Sequence, residues 1–434
     1  MADAEALSLE VGRRVRSRVA GIFLFLPLLA RLRFDRLVQR ADYPGSMMVP
    51  ATSALLSLLA LKLLDKERHS HIDDFNCDEA LGMFTGLNVL PKKSFATDYS
   101  YRTQRSHQQQ LLRGWVSGLS PLLFPDAHSF ALDFHPIPYR GEQAVLDTHY
   151  LPKRGQAGPS VLTLFAQEQK SQVLCYANAN FTRSTQAGAL WEFVEFWQGL
   201  TGKYPQWLYF DSKLAPYQEL SRLTEQKIWF VTIRRRGSNV LRRLESLSAS
   251  SWRDAVIDIP KRRHREISYV DERVTLAEHQ GELRQVAVRG LGREQPTLFL
   301  SNNFEVRPRE LVLNYARRNG IEDGLGTSVN FFHLDCLSSE VRLNVDMDTV
   351  LTVLANGCYR WLATRLHGFG KAQPKQVYRK FVETSGAVEI EKGRRIVVYF
   401  DRRCHNPILR EAALDKDCPP IPWLRNHRLE FAYV

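Results

Sequence analysis

Apolar residues recur at three- and four-residue spacing through Ala51–Leu64 and again through Ser106–Leu119, and the stretch from about 8 to 125 reads as helical throughout. Within it, Leu87–Pro91 ends an apolar run, Lys92 and Lys93 follow, and Ser94 stands where a residue would cap a new helix through Tyr99, Tyr101, Arg102 and Arg105. Turn, cap and basic aromatic helix are the parts of a helix-turn-helix contact with duplex DNA. An ordinary surface helix packed on its neighbour has the same pattern.

At Ser129 the texture changes. Ser129–Phe134, Val161–Phe165 and Val173–Ala177 are short β-prone runs separated by turn residues. Ser184–Leu200 then reads as an amphipathic helix with Leu190, Phe193, Val194 and Trp197 on one face. Trp207–Phe210 is a further strand, residues 215 to 224 a helix, and Ile228–Ile233 a strand. Three strands, helix, strand, helix, strand is the α/β plan of an RNase-H-like fold. Residues 237 to 300 alternate in Ala255–Ile259, Ile267–Val270, Val286–Val288 and Leu298–Leu300, which predicts a β-rich insertion bearing the cluster Lys261, Arg262, Arg263, His264 and Arg265. Helix resumes over Arg307–Ile321 and Met347–Leu366; past Pro374 come strand-like runs at Ala387–Ile390 and Ile396–Phe400, then an irregular end. The expected units are a helical N-terminal DNA-binding domain (1–125), the first part of the catalytic domain (126–236), the insertion (237–300), completing helices (301–370) and a C-terminal extension (371–434).

The composition, 44% hydrophobic and 11% aromatic, is that of a folded chain and excludes a fibrous or disordered one. Lysine and arginine exceed aspartate and glutamate by 59 to 47, which favours a polyanionic partner; residues 227–318 carry much of the excess. A ribosome-associated or membrane-surface protein would share that balance. The six cysteines are scattered, so no zinc ribbon or disulfide framework is indicated and a reducing cytoplasm fits. Arg13, Arg14, Arg16 and Arg18 ahead of the apolar run Gly21–Ala30 imitate a signal peptide, but the run is short of the roughly 20 residues needed to span a bilayer, and Arg31, Arg33 and Arg36 follow at once. No membrane partner is expected.

Three acids occupy positions that chemistry would choose. Asp133 lies inside the apolar strand Phe130–Phe134, where a carboxylate needs compensation. Asp211 ends the strand Trp207–Phe210, and ligands of open α/β sheets gather at the carboxyl ends of strands. Glu322 falls near the end of the basic helix that contains Tyr315, Arg317 and Arg318. Three converging carboxylates raise one another's pKa unless cations compensate, and two divalent ions, Mg2+ with Mn2+ as a substitute, would do so while activating an attacking oxygen and stabilising a leaving one at phosphorus. Taken singly, each strand aspartate is also an ordinary hydrogen-bonded residue. Asp323 and Glu310 are the rivals for the third position and Asp147 for the first.

These segments resemble the DDE transposases of bacterial insertion sequences, in the group with a β-rich insertion before the last acid. Ala131–Gly141 is similar to that family's first-aspartate segment and Leu208–Ser212 to its second, with Asp211 following Asp133 by 78 positions and Glu322 following Asp211 by 111. Tyr315, Arg318 and Glu322 reproduce its spacing of Tyr, two residues, Arg, three residues, Glu. Gly86–Ser94 and Ile396–Pro407 are similar as well. The family pattern continues with a lysine seven positions after the glutamate, where this chain has Val329. The resemblance implies a catalytic and metal-binding triad of Asp133, Asp211 and Glu322, and a Tyr315 and Arg318 that hold DNA-end phosphate. It also implies terminal inverted repeats and target DNA as partners, a homodimer on DNA, and a bacterial cytoplasmic, nucleoid-associated location.

Lys92, Lys93, Arg102 and Arg105 on the proposed recognition helix, and Arg234 and Arg235 after a strand beside Asp211, are the further DNA-binding candidates. His69, His71 and Cys77 lack a fourth zinc ligand at suitable spacing. Trp252 suits core packing better than base stacking. The competing functions are a transposase-derived DNA-binding protein without chemistry and an RNase-H-like nuclease acting on RNA or branched DNA.

Overall fold

A computed structural model describes residues 4–139, 146–151, 155–258, 265–336 and 342–434. The basic cluster Lys261–His264 and the Arg140–Gly141 end of the first acidic segment lie outside them. The chain is a mixed α/β protein built on two sheets.

The smaller sheet joins the two ends of the chain. Strand β1 (Arg14–Ser17) pairs antiparallel with a strand near the other terminus. The N-terminal stretch expected to be helical therefore carries a strand. The Arg-Val-Arg-Ser alternation is its local signal, too short to read alone. The apolar run that imitates a signal peptide follows directly: Ala20–Phe25 forms a 3-10 turn and Leu26–Arg31 a helical turn, buried in the core up to Ala30. Gly21 is required there, since a Cβ would meet the Phe381 carbonyl oxygen at 2.2 Å.

The helices Ala51–Leu63 and Arg105–Leu123 stand where the apolar spacing puts them. The DNA-reading helix does not form as expected. Its helix begins at Lys93 with Lys92 in the cap position, ends at Asp98, and gives way to a 3-10 turn at Tyr99–Arg102. Tyr99 is the reason. Its ring is buried and its hydroxyl donates to the Pro44 carbonyl at 2.8 Å, so it anchors the segment instead of extending a basic aromatic face.

The larger sheet contains β2 (Ser129–Pro138), β3 (Thr148–Leu151), β4 (Gln156–Glu168), β5 (Leu174–Phe181), β6 (Trp207–Phe210) and β7 (Trp229–Ile233). β4 runs antiparallel to both β2 and β5, whereas β2, β6 and β7 are mutually parallel neighbours in that order. Helix Ala189–Thr201 covers one face, where Phe130 meets Phe193 and Trp197 at ring-centroid distances of 5.2 and 4.5 Å. The other face of β2 receives helix Asn319–Asn330.

The expected β-rich insertion begins with a helix, Ser238–Glu245, that the alternation does not announce. Leu244 is its one fully buried side chain, set with Ala287 and Leu298 in a small separate core where Trp252 is partly buried and stacked 3.8 Å under Arg289. Strands β8 (Arg253–Val256), β9 (Glu266–Thr275), β10 (Glu282–Arg289) and β11 (Thr297–Ser301) then form an antiparallel run whose last strand pairs with β7, so the insertion extends the central sheet.

Two further expectations change. The basic helix expected over Arg307–Ile321 is two helices, Pro308–Ala316 and Asn319–Asn330, broken at Arg317 and Arg318. The irregular end contains helix Asn406–Ala412 and a strand. β12 (Gly386–Glu391) and β13 (Arg395–Phe400) form a hairpin, and β14 (Arg428–Tyr433) pairs parallel to β13. One apolar cluster takes in side chains from the N-terminal helices, the central sheet, helix Arg342–Arg365 and the C-terminal sheet. Among the described residues no helix is long and apolar enough to cross a membrane.

Candidate active site

The register of β2 on β6 positions the two aspartates. Leu132 stands opposite Phe210 in that parallel pair, so the next residues, Asp133 and Asp211, emerge side by side from strands about 4.8 Å apart and point to the same face. Each carboxylate is tied locally: Asp133 accepts the Phe134 amide at 3.0 Å and Asp211 the Ser212 amide at 2.7 Å. These bonds hold one oxygen of each acid against the backbone of the residue that follows it.

Glu322 arrives from the other direction. Because the helix breaks at Arg317–Arg318, Glu322 lies in the first turn of helix Asn319–Asn330, where the helix dipole favours a negative charge, and not near a helix end as the sequence suggested. Gly320 and Gly324, one turn apart, let this helix lie close to β4: a Cβ on Gly324 would come within 2.6 Å of Gln167 Nε2. The spacing of those two glycines is a sequence signal for close approach that hydrophobic periodicity passes over.

Asp133, Asp211 and Glu322 line one cavity of about 500 Å3 together with Tyr315, Arg318, Arg293 and Thr297. The last two come from the insertion, so that segment forms part of the cavity wall. Arg318 is the centre of the charge arrangement. Its side chain is 7% exposed, with Nη2 3.0 Å from Asp133 Oδ1 and Nη1 2.9 Å from Glu322 Oε1. Burial pushes the Asp133 carboxyl above its ordinary pKa, Arg318 pulls it back down, and Glu322 and Asp211 push it up again. Tyr315 packs edge-on against Phe299 at 5.3 Å, and burial raises its phenol pKa, so it remains a hydroxyl donor at neutral pH.

Among the described residues no group of three His, Cys, Asp or Glu side chains is arranged to hold a metal ion as it stands. The Arg318 guanidinium bridges Asp133 and Glu322, engaging one oxygen of each. In kind the donors fit a hard divalent cation: three carboxylates, two held by neighbouring parallel strands and the third, Glu322, 56% exposed and able to turn. An ion there would share Asp133 and Glu322 with the Arg318 guanidinium.

The other candidates are dispersed. Asp147 accepts the Arg183 amide at 2.7 Å, and neither Asp147, Asp323 nor Glu310 lines the cavity. Lys92, Lys93 and Arg102 are exposed, with Arg102 lying 5.8 Å from the Phe95 ring, while Arg105 pairs with Glu192 at 2.9 Å. Arg234 donates to Gln285 at 2.6 Å, and Arg235 is exposed. Val329, where the resembled family has lysine, is buried in the core. A pair the sequence did not suggest is His135, on the same face of β2 as Asp133, with Nε2 2.6 Å from Asp335 Oδ1. Compared with known proteins, the chain matches no family model and no curated protein.

Proposed function

We propose that this chain is a DNA-cutting and DNA-joining enzyme of the DDE transposase type. The order β5-β4-β2-β6-β7, with β4 antiparallel to its neighbours and β2, β6 and β7 parallel, is read here as an RNase-H-like sheet extended by the β-rich insertion. The observation that carries the reading is the convergence of Asp133, Asp211 and Glu322 on one cavity from the middle of β2, the end of the adjacent β6 and a helix start. Asp133, Asp211 and Glu322 would hold two Mg2+ ions, or Mn2+ in their place. Such ions supply activation of the attacking water or 3′-hydroxyl and stabilisation of the leaving oxygen.

The chain's own residues do the rest. Arg318, freed from Glu322, presents a planar fork matched to a phosphate, and Tyr315 offers a neutral hydroxyl donor beside it. Arg293 adds positive charge from the insertion side of the cavity. The basic balance of the chain suits element ends and target DNA as partners, and a homodimer on DNA in the bacterial cytoplasm belongs to the same proposal.

Incubation of an end-containing duplex with Mg2+ tests it. Nicking and strand transfer are expected for the wild type and their loss for Asp133→Asn, Asp211→Asn and Glu322→Gln with DNA binding retained; a wild type that binds the duplex and leaves it intact under every divalent metal overturns it. The second reading, a DNA-binding protein that has given up chemistry, is favoured by one observation: Val329 is buried where the resembled family carries a cation.

A further inference from the structure

Two cavities flank the short helix Phe34–Arg40, and neither shares a residue with the carboxylate cavity. The first, about 520 Å3, is lined by Arg33, Arg394 and Arg428 with prolines, a glycine and Asn426. The second, about 370 Å3, is lined by Arg40 and by Arg113 of helix Arg105–Leu123. Among the described residues no acid lines either one. Arg36 and Arg40 are exposed and one turn apart on the connecting helix. That helix and the turn before it pack against helix Arg105–Leu123, where Leu37 sits over Gly114 and Leu32 over Gly118; a Cβ on either glycine would press within 3.0 Å of the leucine above it.

Arg33 is partly neutralised by Asp35 at 2.9 Å, but Arg36, Arg40, Arg394 and Arg428 form no ion pair among the described residues. Arg33 and Arg394 also adopt left-handed backbone, at φ 52° and 58°, where glycine or asparagine is the less strained choice. Both line the same cavity. From Arg33 to Arg40 the helix runs about 10 Å, roughly three phosphate steps at about 3.4 Å of axis per strand charge. All the charged groups that line the two cavities are guanidinium forks, the group best matched to phosphate oxygens.

We infer that this arginine track, from Arg394 and Arg428 through Arg33, Arg36 and Arg40 to Arg113, is a second contact surface for duplex DNA, gripping the phosphate backbone without reading sequence. It rests on the reading of the chain as DNA-acting for its choice of polyanion. The track draws on both ends of the chain, since Arg394 lies in the β12–β13 turn and Arg428 opens β14, while Arg33, Arg36 and Arg40 come from the N-terminal helix and its cap.

Fluorescence anisotropy of a labelled 30-base-pair duplex of arbitrary sequence, with the full chain in EDTA from 50 to 200 mM KCl, tests it. The triple variant Arg40→Ala, Arg394→Ala, Arg428→Ala is expected to bind at least tenfold more weakly at 100 mM salt, with its log–log salt slope shallower by about one unit for each phosphate left without its arginine, roughly three in all. A triple lysine variant at the same positions keeps the charge and should recover most of the binding. The comparison Lys371→Ala, Lys375→Ala, Lys416→Ala removes equal charge elsewhere and should change the slope little.

Equal losses in the two alanine triples overturn the track, as does a track variant that keeps duplex binding and loses binding to phosphatidylserine vesicles instead. Nicking in Mg2+ is scored separately. Weakened binding by track variants of a wild type that never nicks keeps the track and removes the catalytic reading; unchanged binding with normal nicking does the reverse.

Discussion

Removing the Arg318 guanidinium probes the charge arrangement of the cavity directly. Arg318→Met keeps an unbranched apolar stem, removes the guanidinium, and deletes contacts of 3.0 Å to Asp133 and 2.9 Å to Glu322. Breaking a fully buried pair from one side costs about 3–5 kcal/mol, because the remaining charge is left without a partner. Asp133 is 22% exposed and its carboxyl already sits above the ordinary pKa, so it escapes part of that cost by taking a proton. Glu322 is more than half exposed and contributes at most about 1 kcal/mol. The expected loss is therefore about 2–4 kcal/mol in EDTA at pH 7.5. Denaturant unfolding of Arg318→Met, Asp133→Asn and the double variant should give a coupling of about 1.5–3 kcal/mol. With Mn2+ present the order changes: the metal should stabilise Arg318→Met more than the wild type, since no guanidinium competes for the carboxylates. A coupling below about 0.5 kcal/mol, the ordinary scatter of independent sites, would refute the assignment of Arg318 as the internal cation of the cavity.

Other perturbations test the frame around the site. Gly21→Ala places a Cβ 2.2 Å from the Phe381 carbonyl and 2.4 Å from that of Val382, both backbone; a loss of about 3 kcal/mol, or failure to accumulate as soluble protein, should show in unfolding and expression assays. Lys62→Met leaves Asp348 buried without the ammonium that stands 2.6 Å from it, and unfolding should record a loss of about 3–5 kcal/mol, most of it recovered when Asp348→Leu is added. His69 has its pKa lowered by burial first, against the pull of Asp348. The unfolded chain then binds its proton more tightly than the folded one, so this contribution is complete above about pH 6.5 and falls as pH drops through the lower folded value. His69→Gln should flatten the fall in thermal stability below about pH 6.5; an unchanged profile would assign the acid sensitivity elsewhere.

Local elements of this protein are legible wherever a periodic run is long. Helices Ala51–Leu63, Arg105–Leu123 and Ala189–Thr201 and strands β6, β7 and β13 fall within a few residues of the hydrophobic pattern. What escaped the pattern is short or held by distant partners. β1 is four residues long and exists because β12, some 370 positions away, pairs with it. β14 depends in the same way on β13. Helix Ser238–Glu245 buries one leucine fully, too little to mark a period. The break between Ala316 and Asn319 has no proline to announce it, and the Tyr315–Arg318–Glu322 spacing reads naturally as one helix. For the candidate site, the strand and helix positions of the three acids were readable one at a time. Their shared cavity, the bridging Arg318 and the wall built by Arg293 and Thr297 depend on register between segments far apart in the chain.

The most direct measurement is calorimetric titration of Mn2+ into the metal-free protein and into Asp133→Asn, Asp211→Asn and Glu322→Gln, with unfolding curves to establish that each variant is folded. The account predicts saturable binding to the wild type that each of the three substitutions abolishes or weakens at least tenfold. Binding of equal strength in all four proteins, or none in the wild type up to millimolar metal, would contradict it.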